Sequence, residues 1–152
     1  MSEILTAGKQ IPEFNSQDQD GKAISSKDLS GKPSVIYFYP RDNTPGCTVE
    51  ACEFRDSMED FTKLGVGVFG VSTDSGKSHK NFTDKFNLNF PLIADQDKKI
   101  SQSFGVLNGN SASRVTFIAD HNGKIVHVFE KVSPRGHSAE VKGKLKELGL
   151  FH

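Results

Sequence analysis

Residues 34–40, SVIYFYP, are apolar on both faces and rich in β-branched and aromatic side chains, as a central strand covered from either side must be. Residues 48–65, TVEACEFRDSMEDFTKLG, place apolar side chains at helical spacing and predict a helix that Gly65 ends. VGVFGVSTD (66–74) predicts a second strand. A strand, a helix and a strand joined by short loops imply a right-handed unit with parallel strands. Two weaker helical patterns follow, around 78–87 with Phe82 and Phe86 one turn apart, and around 97–104 with Ile100 and Phe104. Between them FPLIAD reads as a short strand. RVTFIAD and KIVHVFEKV flank His121-Asn122-Gly123, and Asn-Gly between two apolar runs is a strong hairpin signal. The last helix, near 138–148, aligns Val141, Leu145 and Leu148 on one face and stops at Gly149. Near the N-terminus, Phe14 to Ser25 around Asp20-Gly21 has the pattern of a looser hairpin.

This order describes an α/β protein with a mixed central sheet, helices on both faces and an N-terminal β-hairpin addition, the layout of the thioredoxin fold. A chain of 152 residues is expected to form one domain over 1–152, burying roughly two thirds of the surface its unfolded form would expose. Nineteen basic residues balance nineteen acidic ones, so nothing points to nucleic acid or to an anionic membrane surface. No apolar run is long enough to span a bilayer, and MSEILTAGKQ has neither a basic start nor an apolar core of a secretory signal. A soluble cytoplasmic protein is expected. In a reducing compartment its two cysteines are reactive or transiently oxidised rather than a permanent staple.

Both cysteines lie in one stretch, YPRDNTPGCTVEAC, Tyr39 to Cys52. With Cys47 in the first turn of the 48–65 helix and about 100° per residue, Ala51, Phe54, Met58 and Phe61 fall within roughly 40° of its direction. Cys47 therefore faces the core. Cys52 points about 140° away, on the polar face near Glu59 and Lys63. Ideal helix geometry puts the two Cα atoms roughly 8–9 Å apart, beyond the ~7 Å limit for a disulfide. The two cannot bond while the helix is intact. A cysteine at a helix N-terminus is the one whose thiolate the unpaired N–H groups and the helix dipole stabilise. Cys52 reaches it only if the first turns unwind, which Pro45-Gly46 and the poor helix formers Thr48 and Val49 favour. The alternative is that both are ordinary small hydrophobes, a reading that remains open above all for Cys52.

YPRDNTPGCTVEACEFRD closely resembles the active-site segment of the peroxiredoxins, specifically the bacterioferritin comigratory protein or peroxiredoxin Q group. The family's Pro-x-x-x-Thr-x-x-Cys motif falls on Pro40, Thr44 and Cys47. The similarity continues through VFGVSTDS, FNLNFPLIAD, FGV, RVTFIAD and HSAEV and so covers most of the chain. It implies a thioredoxin-like fold and thiol-dependent reduction of hydrogen peroxide and organic hydroperoxides. By the same resemblance Cys47 is the peroxidatic cysteine and Cys52 the resolving one, joined in an intramolecular disulfide that thioredoxin or a similar dithiol reduces. No bound cofactor or metal is implied, and a monomer is typical of the group.

Arg114 matches the family's active-site arginine, whose fixed charge favours the thiolate and polarises the peroxide. Thr44 supplies a hydroxyl for the sulfur or the peroxide oxygen, and Pro40 covers the pocket. Backbone N–H groups at Gly46 and Cys47 are placed to bind the oxygens of the transition state, and Glu50 to orient an arginine. Without the resemblance, Glu50 is equally a first-turn acid complementing the dipole, Thr44 a turn residue and Arg114 a strand-edge charge.

Gly65-Val66-Gly67-Val68-Phe69-Gly70 satisfies G-x-G-x-x-G but follows a helix and runs along a strand, the wrong context for a dinucleotide site. Asn81-Phe82-Thr83 fits a glycosylation sequon without a secretory signal. The histidines show no metal-ligand spacing with either cysteine, and His137 is expected to start a helix rather than to catalyse. A general disulfide oxidoreductase would carry Cys-x-x-Cys and a proline before the third core strand, neither of which is present. A redox sensor whose Cys47–Cys52 bond only reports oxidation is the rival from another class. LNGNSAS, before Arg114, lacks the aromatic residues common there in the family, which bears on substrate preference and reductant docking.

Overall fold

The computed structural model describes residues 4–150. β1 (Asn15–Gln17) and β2 (Ala23–Ser25) form the N-terminal hairpin, and a 3-10 turn over Ser26–Leu29 leads into the body of the protein. There follow β3 (Ser34–Phe38), α1 (Pro45–Leu64), β4 (Gly67–Ser72), α2 (Gly76–Phe86), β5 (Leu92–Ala94) and α3 (Lys99–Ser103). A small hairpin of β6 (Leu107–Asn108) and β7 (Ser111–Ala112) precedes β8 (Val115–Ala119), β9 (Ile125–Phe129) and α4 (His137–Glu147). The central sheet has the order β5-β4-β3-β8-β9. β3 runs parallel to β4 and antiparallel to β8, so the sheet is mixed and β3 lies at its centre, as its two-sided apolar pattern predicts.

Alternate residues of β3 build two separate cores. Ile36 and Phe38 pack with Phe69, Val71, Phe104 and Phe117 on the face covered by α3 and the N-terminal segment. Val35, Tyr37 and, just past the strand, Tyr39 pack on the other face with Cys47, Ala51, Phe54 and Phe61 of α1 and Val141 and Leu145 of α4. Each fully buried Phe stabilises the fold by roughly 1.5–3 kcal/mol, so this stripe fixes the rotation of α1 about its axis. Met58 completes the expected stripe but is only partly buried. α1 stops at Gly65, whose φ of 74° is one that an L side chain adopts at a cost, and the Val66 N–H bonds back to the Phe61 carbonyl.

The glycine-rich run lies along β4, where Gly70 leaves room for the Tyr37 ring to cross its partner strand. At the end of α4, Val141 and Leu145 are buried, whereas Leu148 follows the last helical residue and is 40% exposed, unlike the expected three-residue face. The polar segment before Arg114 is the β6–β7 hairpin, turning at Gly109 with φ 65°. Among the described residues no helix is long and apolar enough to cross a membrane.

Candidate active site

The site forms where the chain leaves β3 and enters α1, at the carboxyl end of two parallel strands. Thr44 is the N-cap, with extended φ and ψ of −92° and 158°, and Pro45 takes the first helical position, where a missing N–H costs nothing. The helix thus begins three residues ahead of the expected Thr48. Thr44 makes no side-chain capping bond; its hydroxyl donates to the Arg41 carbonyl at 3.3 Å. The first helical bond runs from the Thr48 N–H to the Thr44 carbonyl at 2.8 Å. The N–H groups of Gly46 and Cys47 belong to the turn that no helix can pair internally, and they point along the positive end of the dipole.

Cys47 is the third residue of α1 and is 1% exposed. Arg114 reaches its sulfur from the residue just before β8, which the antiparallel register of β8 with β3 carries to the same end of the sheet. Nη2 of Arg114 donates to Cys47 Sγ at 3.3 Å, and Nη1 donates to Glu50 Oε1 at 2.7 Å. Glu50 lies one turn after Cys47, fully buried, so one guanidinium bridges two neighbouring positions of the same helix face. Gly46 makes room for it: a Cβ there would lie 3.1 Å from Arg114 Nη2 and 3.4 Å from the Pro134 ring.

Burial pushes the Glu50 carboxyl up to about 7 even though Arg114 pulls it down, and its second oxygen, Oε2, is buried without a hydrogen-bond partner among the described residues. For Arg114 burial acts downward, but Glu50 and the Cys47 sulfur outweigh it and the guanidinium is raised. A permanently charged donor is therefore held against a buried sulfur. That arrangement sets a fixed positive charge and a hydrogen-bond donor against the sulfur and keeps bulk water away from it.

The structure brings Cys47, Gly46, Glu50 and Arg114 into direct contact or van der Waals range, with Thr44 capping the same turn. Pro40 is half-buried at the end of β3. Cys52 stands apart, half-buried on the same continuous helix, and both thiols are free. His137 begins α4 as expected: its ring is buried, bonded to Thr116 Oγ1 and Glu140 Oε1, and packed edge-on against Phe54 and Phe129. Burial lowers its pKa, outweighing the upward pull of the Glu140 hydrogen bond. One cluster went unread in the sequence: Asp42, Asp74 and His79 converge beneath the loop that precedes α1. The only trace of it is the placement of Asp42 within the motif segment itself.

The chain matches the AhpC/TSA family over residues 7–128. It is 41% identical over 149 residues to a putative peroxiredoxin bcp of Coxiella burnetii, covering 93% of this chain and 99% of that one. It is 40% identical over 151 residues to peroxiredoxin Bcp of Escherichia coli, covering 94% and 97%. Among solved structures, a PrxQ variant from Xylella fastidiosa superposes with a TM-score of 0.91 at 30% identity, covering 98% of this chain and 99% of that one. The bacterioferritin comigratory protein of Xanthomonas campestris, solved in trapped-intermediate and ligand complexes that concern its alkyl peroxide reduction, superposes with a TM-score of 0.86 at 31% identity over 97% and 98%. With a thioredoxin-like fold and a cysteine, a charged donor and a helix start gathered at one point, this chain belongs to the AhpC/TSA family, in its Bcp and peroxiredoxin Q group, and is a thiol peroxidase.

Proposed function

We propose that Cys47 is the peroxidatic thiol and Cys52 the resolving one, in a single chain acting as one domain. The Cys47 thiolate attacks one oxygen of a hydroperoxide in line with the O–O bond. The S–O bond forms as the O–O bond breaks, the sulfur is oxidised to a sulfenic acid, and the departing alkoxide or hydroxide takes up a proton to leave as alcohol or water. Arg114 and the N–H groups of Gly46 and Cys47 carry the negative charge as it passes from sulfur to the leaving oxygen. The Thr44 hydroxyl, turning from the Arg41 carbonyl, serves the same oxygens, and Pro40 screens the pocket from water.

The Cys52 thiol then condenses with the sulfenic acid, forming the disulfide and releasing water. A dithiol donor of the thioredoxin type restores both thiols by exchange, being itself oxidised. The reading is that of a cytoplasmic, monomeric antioxidant enzyme that needs no bound cofactor. The observation that carries it is the 3.3 Å contact of Arg114 Nη2 with Cys47 Sγ, made by a guanidinium that buried Glu50 orients.

The test is a mass-spectrometric thiol count after one equivalent of hydrogen peroxide. Wild type is expected to form an intramolecular disulfide, Cys52→Ser to stop at the sulfenic acid and Cys47→Ser to stay reduced. Peroxide consumption by Cys47→Ser, or two intact thiols in wild type, would leave the redox-sensor reading in its place.

A further inference from the structure

Asp42 sits midway between Pro40 and Thr44, in the loop that delivers α1 to the sheet, and its side chain is only 4% exposed. Every oxygen of its carboxylate is engaged. Tyr39 OH donates to Oδ1 at 2.6 Å, while Ser78 Oγ at 2.8 Å and His79 Nδ1 at 2.7 Å both meet Oδ2. The Asp42 N–H donates to Asp74 Oδ2 at 2.7 Å, and Ser72 Oγ donates to the same oxygen at 2.7 Å. His79 is fully buried, and its other nitrogen, Nε2, meets the Ile93 carbonyl at 3.0 Å. A carbonyl only accepts, so Nε2 donates to it, and the 2.7 Å contact of Nδ1 with Oδ2 holds a proton between the ring and the carboxyl group. The Asp42, Asp74 and His79 ligand atoms lie within 4.8 Å of one another, but the atoms that converge are already spent on these bonds, and a cation would have to break them.

The network therefore acts as an anchor. It ties the loop to the ends of β3 and β4, to the first turn of α2 and, through His79, to β5. Asn43, the next residue, is held at φ 60°, a conformation that persists where the surroundings impose it. On the far side of the cysteines, Arg55 Nη1 donates to the Phe86 carbonyl at 2.7 Å and pins α1 to the end of α2. The segment between these anchors contains both thiols. An intact helix keeps their Cα atoms roughly 8–9 Å apart, so disulfide formation requires that segment to unwind.

We propose that His79, acting through Asp42, is a positioning residue that sets the balance between the wound state, in which Cys47 meets Arg114 and peroxide, and the unwound state, in which Cys52 reaches Cys47. The inference rests on the peroxidatic and resolving roles assigned above. Loosening the anchor moves the two steps in opposite directions: the assembled site is less populated, so attack on peroxide slows, and the unwound state is more populated, so the disulfide closes faster. A merely structural histidine would slow both steps or neither.

The two rates are measured separately by rapid quench, alkylation and mass counting, because the chain has no tryptophan to report them by fluorescence. In His79→Gln the amide nitrogen can still reach the Ile93 carbonyl, but the ring's bond to Asp42 Oδ2 is gone and only Ser78 Oγ still meets that oxygen. Its peroxide rate is expected to fall about tenfold and its disulfide rate to rise severalfold, as loss of one charge-assisted hydrogen bond predicts. In His79→Asn the amide can still reach Asp42, and both shifts are expected in the same senses but smaller. Ser78→Ala, which removes another donor to the same oxygen without touching the buried ring, gives a second reading should His79→Gln not fold; it too must slow the first step and speed the second. Parallel changes in the two rates, or an unchanged disulfide rate in His79→Gln and Ser78→Ala, would overturn the anchor. If wild type forms no Cys47–Cys52 disulfide at all, the underlying reading fails before any variant is compared.

Discussion

Cys47 and Cys52 share one helix, yet their surroundings differ in kind. Cys47 is 1% exposed, packed among Tyr37, Tyr39, Ala51 and Phe54, and held at 3.3 Å from a guanidinium that a buried carboxylate locks. Cys52 is half-buried on the polar side, and its neighbouring cation, Arg55, is committed elsewhere: it is bonded to Asp56, which raises its pKa with a further contribution from Cys52, and to the Phe86 carbonyl. A thiol that reacts where it stands needs fixed donors and a dry pocket. One that travels to its partner needs few bonds to break, and among the described residues the Cys52 sulfur makes no hydrogen bond comparable to that of Cys47.

The largest break in this comparison comes from Arg114→Ala. Removing the charged donor from the Cys47 side is expected to lower the second-order rate with hydrogen peroxide by about 10²–10³, the usual effect of deleting one preorganised donor. Arg114→Lys keeps the charge but cannot bridge Glu50 and the sulfur together, so its rate should fall between the two. Stopped-time thiol counting at limiting peroxide gives both values, and an Arg114→Ala rate within a few-fold of wild type would show that the sulfur does not depend on the guanidinium.

Glu50 sharpens the contrast through pH. Its folded pKa of about 7 lies above the ordinary 4.5, so the folded protein binds the proton more tightly than the unfolded chain. Stability contributed by this group is full below about 4.5 and is lost as pH rises through about 7. Wild type should therefore lose roughly 3 kcal/mol relative to Glu50→Gln between the two limits, by urea unfolding at pH 4.5 and pH 8. Taking the difference between the proteins matters, because the buried His137 and the partly buried His127, both lowered by desolvation, act with the opposite sign. A pH-independent difference would mean that the carboxylate is not held in a low-dielectric pocket.

How much of this was legible in the sequence follows from the range of each interaction. β3, α1 and the core-facing direction of Cys47 were readable because apolar spacing is local, and α1 packs on the stripe its sequence displays. The expected start at 48 leaves out the first three residues of α1, because Pro45-Gly46 reads as a flexible entry although proline is at home in the first helical position. The β6–β7 hairpin was missed because strands of two residues show no alternation, despite Gly109-Asn110 between them. Arg114 was found by family resemblance alone: 67 residues separate it from Cys47, and only the register of β8 on β3 joins them. The Asp42–His79 pair, 37 residues apart, has the same character, and nothing local in the sequence marks it.

The finest test of the comparison is Gly46→Ala, which alters the Cys47 side without removing any functional group. The added Cβ would stand 3.1 Å from Arg114 Nη2, closer than ordinary contact, so the guanidinium must yield by a few tenths of an ångström. Its hydrogen bond to the sulfur loosens, and a misplacement of this size is expected to lower the peroxide rate by up to about tenfold. Helix propensity works the other way. Alanine inside a helix is favoured over glycine by roughly 0.5–1 kcal/mol, less so in the first turn, so the variant should unfold at equal or higher urea. Activity falling while stability holds would show that Gly46 is kept for the space it leaves the arginine. A loss of both would instead mean that the strain spreads into the turn and Pro134, and that the fit around Cys47 extends beyond the guanidinium.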